Sequence, residues 1–106
     1  MVKHIVIWKL KEQAEGAGKQ ENALKMKAVL EGLREAIREI RHIEVGLNLT
    51  DSPDAYDVAL YCEFETVAGL KVYQNHPAHL KAIEFIRKVR SERRVVDYEV
   101  GPGAGL

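Results

Sequence analysis

Ile43-Glu44-Val45-Gly46-Leu47-Asn48-Leu49, a turn Asp51-Ser52-Pro53-Asp54, and Tyr56-Asp57-Val58-Ala59-Leu60-Tyr61-Cys62-Glu63-Phe64 are the residues that decide the fold. In both runs apolar side chains fall at every second position, the period of a half-buried strand. The residues between them are turn formers: Asp and Ser bond their own backbone, and Pro fixes φ. Two such runs joined by a short turn predict an antiparallel hairpin. It lies mid-chain, so the elements on either side set the topology.

Towards the N-terminus, Ala23, Met26, Leu30, Leu33, Ile37 and Ile40 recur at steps of three and four. This predicts one amphipathic helix of about five turns. Residues 12–22 are polar, contain Gly16 and Gly18, and read as a loop with a fraying helix start. Before them, Val2, His4, Val6, Trp8 and Leu10 form one row of a strand and Lys3, Ile5, Ile7 and Lys9 the other. An apolar centre on both rows predicts cover on both faces.

Towards the C-terminus, Thr66 caps a short helix through about Tyr73, with Val67 and Leu70 facing inward. Pro77 suits the first position of a second helix, which places His76 at its N-cap. Ala82, Ile83, Phe85, Ile86 and Val89 form that helix's apolar face, and His79 points into its middle. Arg94, Val96, Tyr98 and Val100 make a last strand, and residues 101–106 a flexible C-terminal tail after a domain spanning 1–100. The order β-α-β-β-α-β is that of a ferredoxin-like α+β fold, with both helices on one face of an antiparallel sheet. The other face carries Ile5, Ile7 and Tyr61 with no helix left to cover them, which predicts a two-fold homodimer.

Composition narrows the function. The chain has 106 residues, enough for one domain, with 16 Lys+Arg against 16 Asp+Glu. A net charge of zero argues against nucleic acid or an anionic membrane as partner. The one local excess, Arg87, Lys88, Arg90, Arg93 and Arg94, reads as a solvated helix end. Cys62 is the lone cysteine; it has no disulfide partner and sits in an apolar run as a buried thiol. With no signal peptide and no run of about 20 apolar residues, a cytoplasmic location is expected.

Chemistry concentrates in Tyr73-Gln74-Asn75-His76-Pro77-Ala78-His79. Histidine titrates near neutral pH without help, and a phenol beside it completes a proton donor–acceptor pair. One reading makes His79 a general base and Tyr73 the donor to a developing oxyanion. His4, Val6, Trp8, Leu30 and Leu60 then line a pocket for a small, largely apolar molecule. The other makes His79 a hydrogen-bonded core residue in a non-enzymatic protein that acts through assembly. His76 and His79 have a chelating spacing, but no Cys, Asp or Glu cluster completes a set, so no metal site is read.

Lys3-His4-Ile5-Val6, Glu44-Val45-Gly46-Leu47-Asn48, Ala55-Tyr56-Asp57, Glu63-Phe64, the Tyr73–His79 segment and Val95-Val96-Asp97-Tyr98, in that order, resemble the stress-responsive A/B barrel domain family. The resemblance implies a dimeric α+β barrel made from two ferredoxin-like protomers. Most members have no assigned activity; plant members are tied to stress responses. A polyketide cyclase in the family, olivetolic acid cyclase, performs an aldol closure with a Tyr and a His that fall on Tyr73 and His79 by position, and its strand histidine falls on His4. A further pocket histidine of that enzyme falls on Val58, and its helix aromatics on Met26 and Lys27. The resemblance also implies, in some relatives, a magnesium ion held by backbone carbonyls near Arg34, Ile37 and Ile40.

Overall fold

The computed structural model describes residues 1–101. The elements are β1 (Val2–Leu10), β2 (Gln13–Ala14), β3 (Ala17–Gly18), α1 (Lys19–Glu31), α2 (Leu33–Ala36), β4 (His42–Leu47), β5 (Val58–Phe64), α3 (Val67–Asn75), α4 (Pro77–Val89) and β6 (Arg90–Glu99). The four long strands form one antiparallel sheet in the order β4-β5-β1-β6. This is the ferredoxin-like α+β arrangement, with the first strand in the centre.

β1 alternates perfectly. Val2, His4, Val6, Trp8 and Leu10 are buried against the helices, and the odd-numbered row is partly open. Cross-strand pairs share a face, so the inner layer continues through Cys62, Leu60 and Val58 of β5. On β6 it continues through Asp97, Val95 and Arg93. Met26, Leu30 and Leu33 from the first helical segments, Leu70 and Tyr73 from α3, and Ala82, Ile86 and Val89 from α4 close the core from above.

The structure departs from the sequence reading in several places. The segment 12–22 is not a loop: β2 and β3 make a tight hairpin over Glu15 and Gly16, both at positive φ, as its two-residue turn requires. The helix predicted through Ile40 ends at Glu31, caps at Gly32 and gives only one further turn, with Ile37 already extended. Gly32 is the poorest helix former in the segment and sits where the chain must turn. Ile37 and Ile40 stay buried, so their spacing marks burial and not helix. The strand expected through Leu49 stops at Leu47, because Asn48 bonds the backbone of Thr50 from both ends of its amide; Leu49 is 98% exposed. Val67, read as inward, is exposed, and β6 starts four residues before Arg94. The tail read at 101–106 lies, from residue 102 on, outside the described residues.

The sheet's two edges differ. β4 is an edge strand, but α1 covers its free backbone. Glu31 accepts from the Val45 N–H at 3.0 Å, while Lys27 donates to the Val45 carbonyl at 2.6 Å. The same two side chains pair with each other at 2.9 Å. Together they take the place of a neighbouring strand, which blocks edge-to-edge pairing there. β6, the other edge, runs ten residues. It leaves Val95, Val96 and Tyr98 exposed.

Lys27, then the Val45 N–H, hold the Glu31 carboxyl below its ordinary value of 4.5. A depressed carboxylate stabilises the fold above its unfolded pKa and loses that contribution as pH falls through the folded one. Urea unfolding of the wild type and of Glu31→Gln at pH 7 and pH 3 should therefore differ. The substitution should be destabilising at pH 7 and close to neutral at pH 3. An equal effect at both would mean the carboxylate charge does not anchor α1.

Candidate functional site

A cavity of about 250 Å³ lies between the inner face of the sheet and the helices. Its floor is His4, Val6 and Trp8 of β1 with Leu60 of β5; Leu30 of α1 closes one side. Tyr73 of α3 and His79, Ile83 and Ile86 of α4 close the other. The seven residues picked from sequence as the pair and its pocket thus stand around one space. Arg87, Arg90 and Arg93 complete the lining.

The Tyr73–His79 geometry is set by the break at Pro77. An unbroken helix would pass the Ala78 N–H to the Gln74 carbonyl four residues back. Here His76 is the N-cap of α4, and its Nδ1 accepts the Ala78 N–H at 3.0 Å. Pro77 has no N–H to offer Tyr73, whose carbonyl instead accepts from the His76 N–H at 3.2 Å. The Gln74 carbonyl is thereby available, and His79 Nδ1–H donates to it at 3.1 Å. A carbonyl only accepts, so Nδ1 carries the proton and the lone pair of the neutral ring is on Nε2. Burial first, and then the charges of His4, Arg93 and His76, hold His79 below the ordinary imidazole value of 6.5; the Gln74 bond opposes this in part.

Tyr73 is fully buried, its ring 4.4 Å from that of His79 and 5.1 Å from that of Phe64, centroid to centroid. Among the described residues its Oη meets no partner at hydrogen-bond geometry, and the neighbouring Cys62 sulfur is only a weak acceptor. Burial drives its pKa well above the phenol value, so it remains a donor. Trp8, also on the lining, has an indole N–H with no partner. Leaving a buried donor unbonded costs about 1–3 kcal/mol, so each of these two groups suits an acceptor brought in by a ligand. His4 is 3% exposed. Its Nδ1 is bonded to the Asp97 carboxylate, and its ring stands edge-on to Tyr73 at 5.9 Å.

Sequence reading passed over two parts of this site. Asp97 was noted only as part of a motif, yet it is the cross-strand partner of His4 and orients its ring. The sequence pattern makes the arginines a solvated helix end. Arg87 does lie in the last turn of α4, but it lines the cavity together with Arg90 and Arg93. The misleading signal was on β6: its more apolar row, Val96 and Tyr98, faces outward, and the row facing the helices is Arg93, Val95 and Asp97. The positions that resemblance assigned to a larger pocket are otherwise occupied. Val58 and Met26 are core, and Lys27 is tied to β4.

No group of three or more His, Cys, Asp or Glu converges as a metal site among the described residues. On the turn after α2, the Ile37 carbonyl accepts from the Ile40 N–H at 3.3 Å, and the Arg41 guanidinium donates to the Arg38 carbonyl at 3.0 Å. The Arg41 guanidinium is itself paired with the Glu65 carboxylate at 3.0 Å, and no step below uses an ion on this turn.

The model of the Stress responsive A/B Barrel Domain family matches residues 2–100. An uncharacterized protein of Streptomyces coelicolor is 31% identical over 100 residues, covering 93% of this chain and 99% of its own. A dimeric protein of unknown function and ferredoxin-like fold from Bacteroides fragilis superposes with a TM-score of 0.77 at 36% identity, over 93% of this chain and 95% of that one. A hydroxynitrile lyase from Passiflora edulis gives a TM-score of 0.78 at 23% identity, over 94% and 93%. At that identity the likeness shows the fold alone.

Burial makes two groups of the site readable in solution. The His79 ring should titrate with a midpoint below 6.5 in an NMR pH series. A histidine held low in the folded state leaves the unfolded chain binding more protons, so stability should fall as pH drops below about 6.5. His79→Gln should remove that part of the slope. Burial also pushes the Cys62 thiol up to about 12. A thiol reagent at pH 8 should label it only after denaturation; rapid labelling of the native protein would mean the floor of the site opens.

Proposed function

The chain belongs to the stress responsive A/B barrel domain family, and on that footing we propose that it binds a small carbonyl compound in the His4–Tyr73–His79 cavity and moves a proton on it. The observation that carries this reading is the pairing of an unprotonated Nε2 on His79 with a partnerless phenol on Tyr73, ring against ring on one cavity wall. His79 Nε2 takes a proton from the carbon next to the carbonyl. The C–H electron pair becomes an enolate, whose oxygen is held by the Tyr73 O–H. The enolate carbon then attacks a second carbonyl of the same molecule, an aldol closure, or is reprotonated at another position, an isomerisation. In either case the imidazolium of His79 returns the proton.

The two pKa directions suit these roles. His79, held low, is unprotonated at neutral pH and ready to accept. Tyr73, held high, does not give its proton away but donates a hydrogen bond to the oxyanion. His4, oriented by Asp97, is a positioning residue at the back of Tyr73.

The test is exchange of the α-protons of phenylacetone in D2O, followed by NMR. The wild type should accelerate exchange over buffer. His79→Ala should remove about 10²–10⁴-fold of the acceleration, and Tyr73→Phe about 10²–10³-fold. Rates unchanged in both variants would rule out the acid–base roles.

We further propose that the outer face of the sheet is the interface of a homodimer. Ile5, Tyr61 and Val96 lie side by side across β1, β5 and β6, with Ile7 next in the row. Lys3, Glu63 and Arg94 border this apolar centre. The free edge of β6 adjoins it, while the β4 edge is already covered. The Bacteroides fragilis relative is itself dimeric. Sedimentation should give twice the 12.0 kDa chain mass. Ile7→Lys, which adds a charge without touching the inner core, should shift the protein to monomer. A wild-type monomer at micromolar concentration would refute the interface.

A further inference from the structure

We propose that the cavity is built for an organic anion: a small molecule with an apolar body and one carboxylate, the carboxylate held at the mouth by Arg87, Arg90 and Arg93. The inference rests on the pocket reading above and names the chemistry of its ligand.

The first observation is the sign of the lining. Arg87, Arg90 and Arg93 all contribute to it, and no Asp or Glu does. The other titratable groups on the wall are His4, Tyr73 and His79. The carboxylate nearest to them, Asp97, stands behind His4 and is engaged by its Nδ1. A chain with a net charge of zero thus concentrates three guanidinium groups on one opening.

The second observation is that these arginines have no internal counter-charge. Of the four other arginines, Arg38, Arg41 and Arg94 each meet a carboxylate, Glu39 at 3.8 Å, Glu65 at 3.0 Å and Glu92 at 3.7 Å, and Arg34 is exposed on α2, away from the cavity lining. Among the described residues Arg87, Arg90 and Arg93 meet none. Glu92, their neighbour in sequence, points to the other side of β6 and is taken by Tyr56, Lys9 and Arg94. Arg93 also acts inward. Its charge is felt at both the Tyr73 phenol and the His79 imidazole, so it lies close to the reacting end of the cavity as well as to its mouth.

The third observation is size and polarity. An engineered apolar cavity of about 150 Å³ holds benzene. The present 250 Å³ admits a ring or short chain with one further group. Trp8, Leu30, Ile83 and Ile86 supply the apolar wall for the body. A planar guanidinium matches a carboxylate with two parallel N–H···O bonds, which a solvated lysine cluster would not do. Anchoring the acid at the arginines leaves the body reaching inward, with its carbon atoms at His79 and its oxygen substituents at Tyr73.

The experiment compares 3-phenylpropanoate with its neutral amide, 3-phenylpropanamide. Binding is followed by the fluorescence of Trp8, the single tryptophan, which lies on the wall. The acid should bind about tenfold or more tightly than the amide at low salt, and the advantage should shrink as ionic strength rises. In the triple variant Arg87→Gln/Arg90→Gln/Arg93→Gln the advantage should vanish while the amide binds as before; that unchanged amide affinity also shows an intact fold. Equal affinities for acid and amide in the wild type, or a preference that survives the triple substitution, would overturn the anion site and leave the pocket reading standing. Binding of neither probe would overturn both.

Discussion

The structure depends on the position of β1. It is bonded to β5 on one side and β6 on the other, so its alternation is imposed on three strands at once. A one-residue slip would turn every side chain to the opposite face. That slip would drive Lys3 and Lys9 into the core and expose Trp8, so the register is strongly held. From it follow the two surfaces of functional interest. The even row places His4 on the cavity floor, between Cys62 and Asp97. The odd row places Ile5 and Ile7 on the uncovered face. One strand therefore carries the cavity floor on one side and the proposed dimer face on the other, only a sheet's thickness apart.

This layout explains what sequence could and could not reveal. Periodicity made the four long strands legible, because burial of one face leaves a period of two in the side chains whatever the detail of packing. It located the α3–α4 junction as well, since Thr66, His76 and Pro77 act through local backbone bonds that need no tertiary context. It failed where burial and secondary structure part company. Ile37 and Ile40 carry a helical spacing but are buried on the turn that follows α2. On β6 the failure is of another kind. The apolar row, Val96 and Tyr98, is legible as apolar, but it is the outer, exposed row, so apolar character does not identify the side that faces the helices. Arg93 and Asp97 were overlooked for that reason.

The site residues separate along the same line. His4, Val6, Trp8 and Leu60 belong to rows set by strand register, and their coming together is a consequence of the hairpin pairing with β1. Tyr73 and His79 are adjacent through a local device. The arginines belong to neither: Arg87, Arg90 and Arg93 recur every three residues across a helix-to-strand junction, where no single period applies. Only the path of the chain from α4 into β6 turns them towards a common opening. Composition hides them as well, because a zero net charge averages a cationic mouth against acidic residues placed elsewhere.

The break at Pro77 removes an apparent choice between structure and chemistry for the three residues around it. A helix running straight from Tyr73 to His79 would use the Gln74 carbonyl for its own ladder and leave the His79 ring without that acceptor. With Pro77 in place, His76 must cap, and its acceptance of the Ala78 N–H is what releases the Gln74 carbonyl to His79. The cap thus fixes the tautomer. Nδ1 is committed as a donor, and Nε2 is the nitrogen of the His79 ring left to receive a proton. Without a capping side chain, Ala78 would seek another acceptor, with Gln74 the nearest in helical geometry, and the His79 ring would lose the bond that both orients it and opposes the fall in its pKa. His76 is not on the cavity lining, yet the free nitrogen of the His79 ring is defined through it.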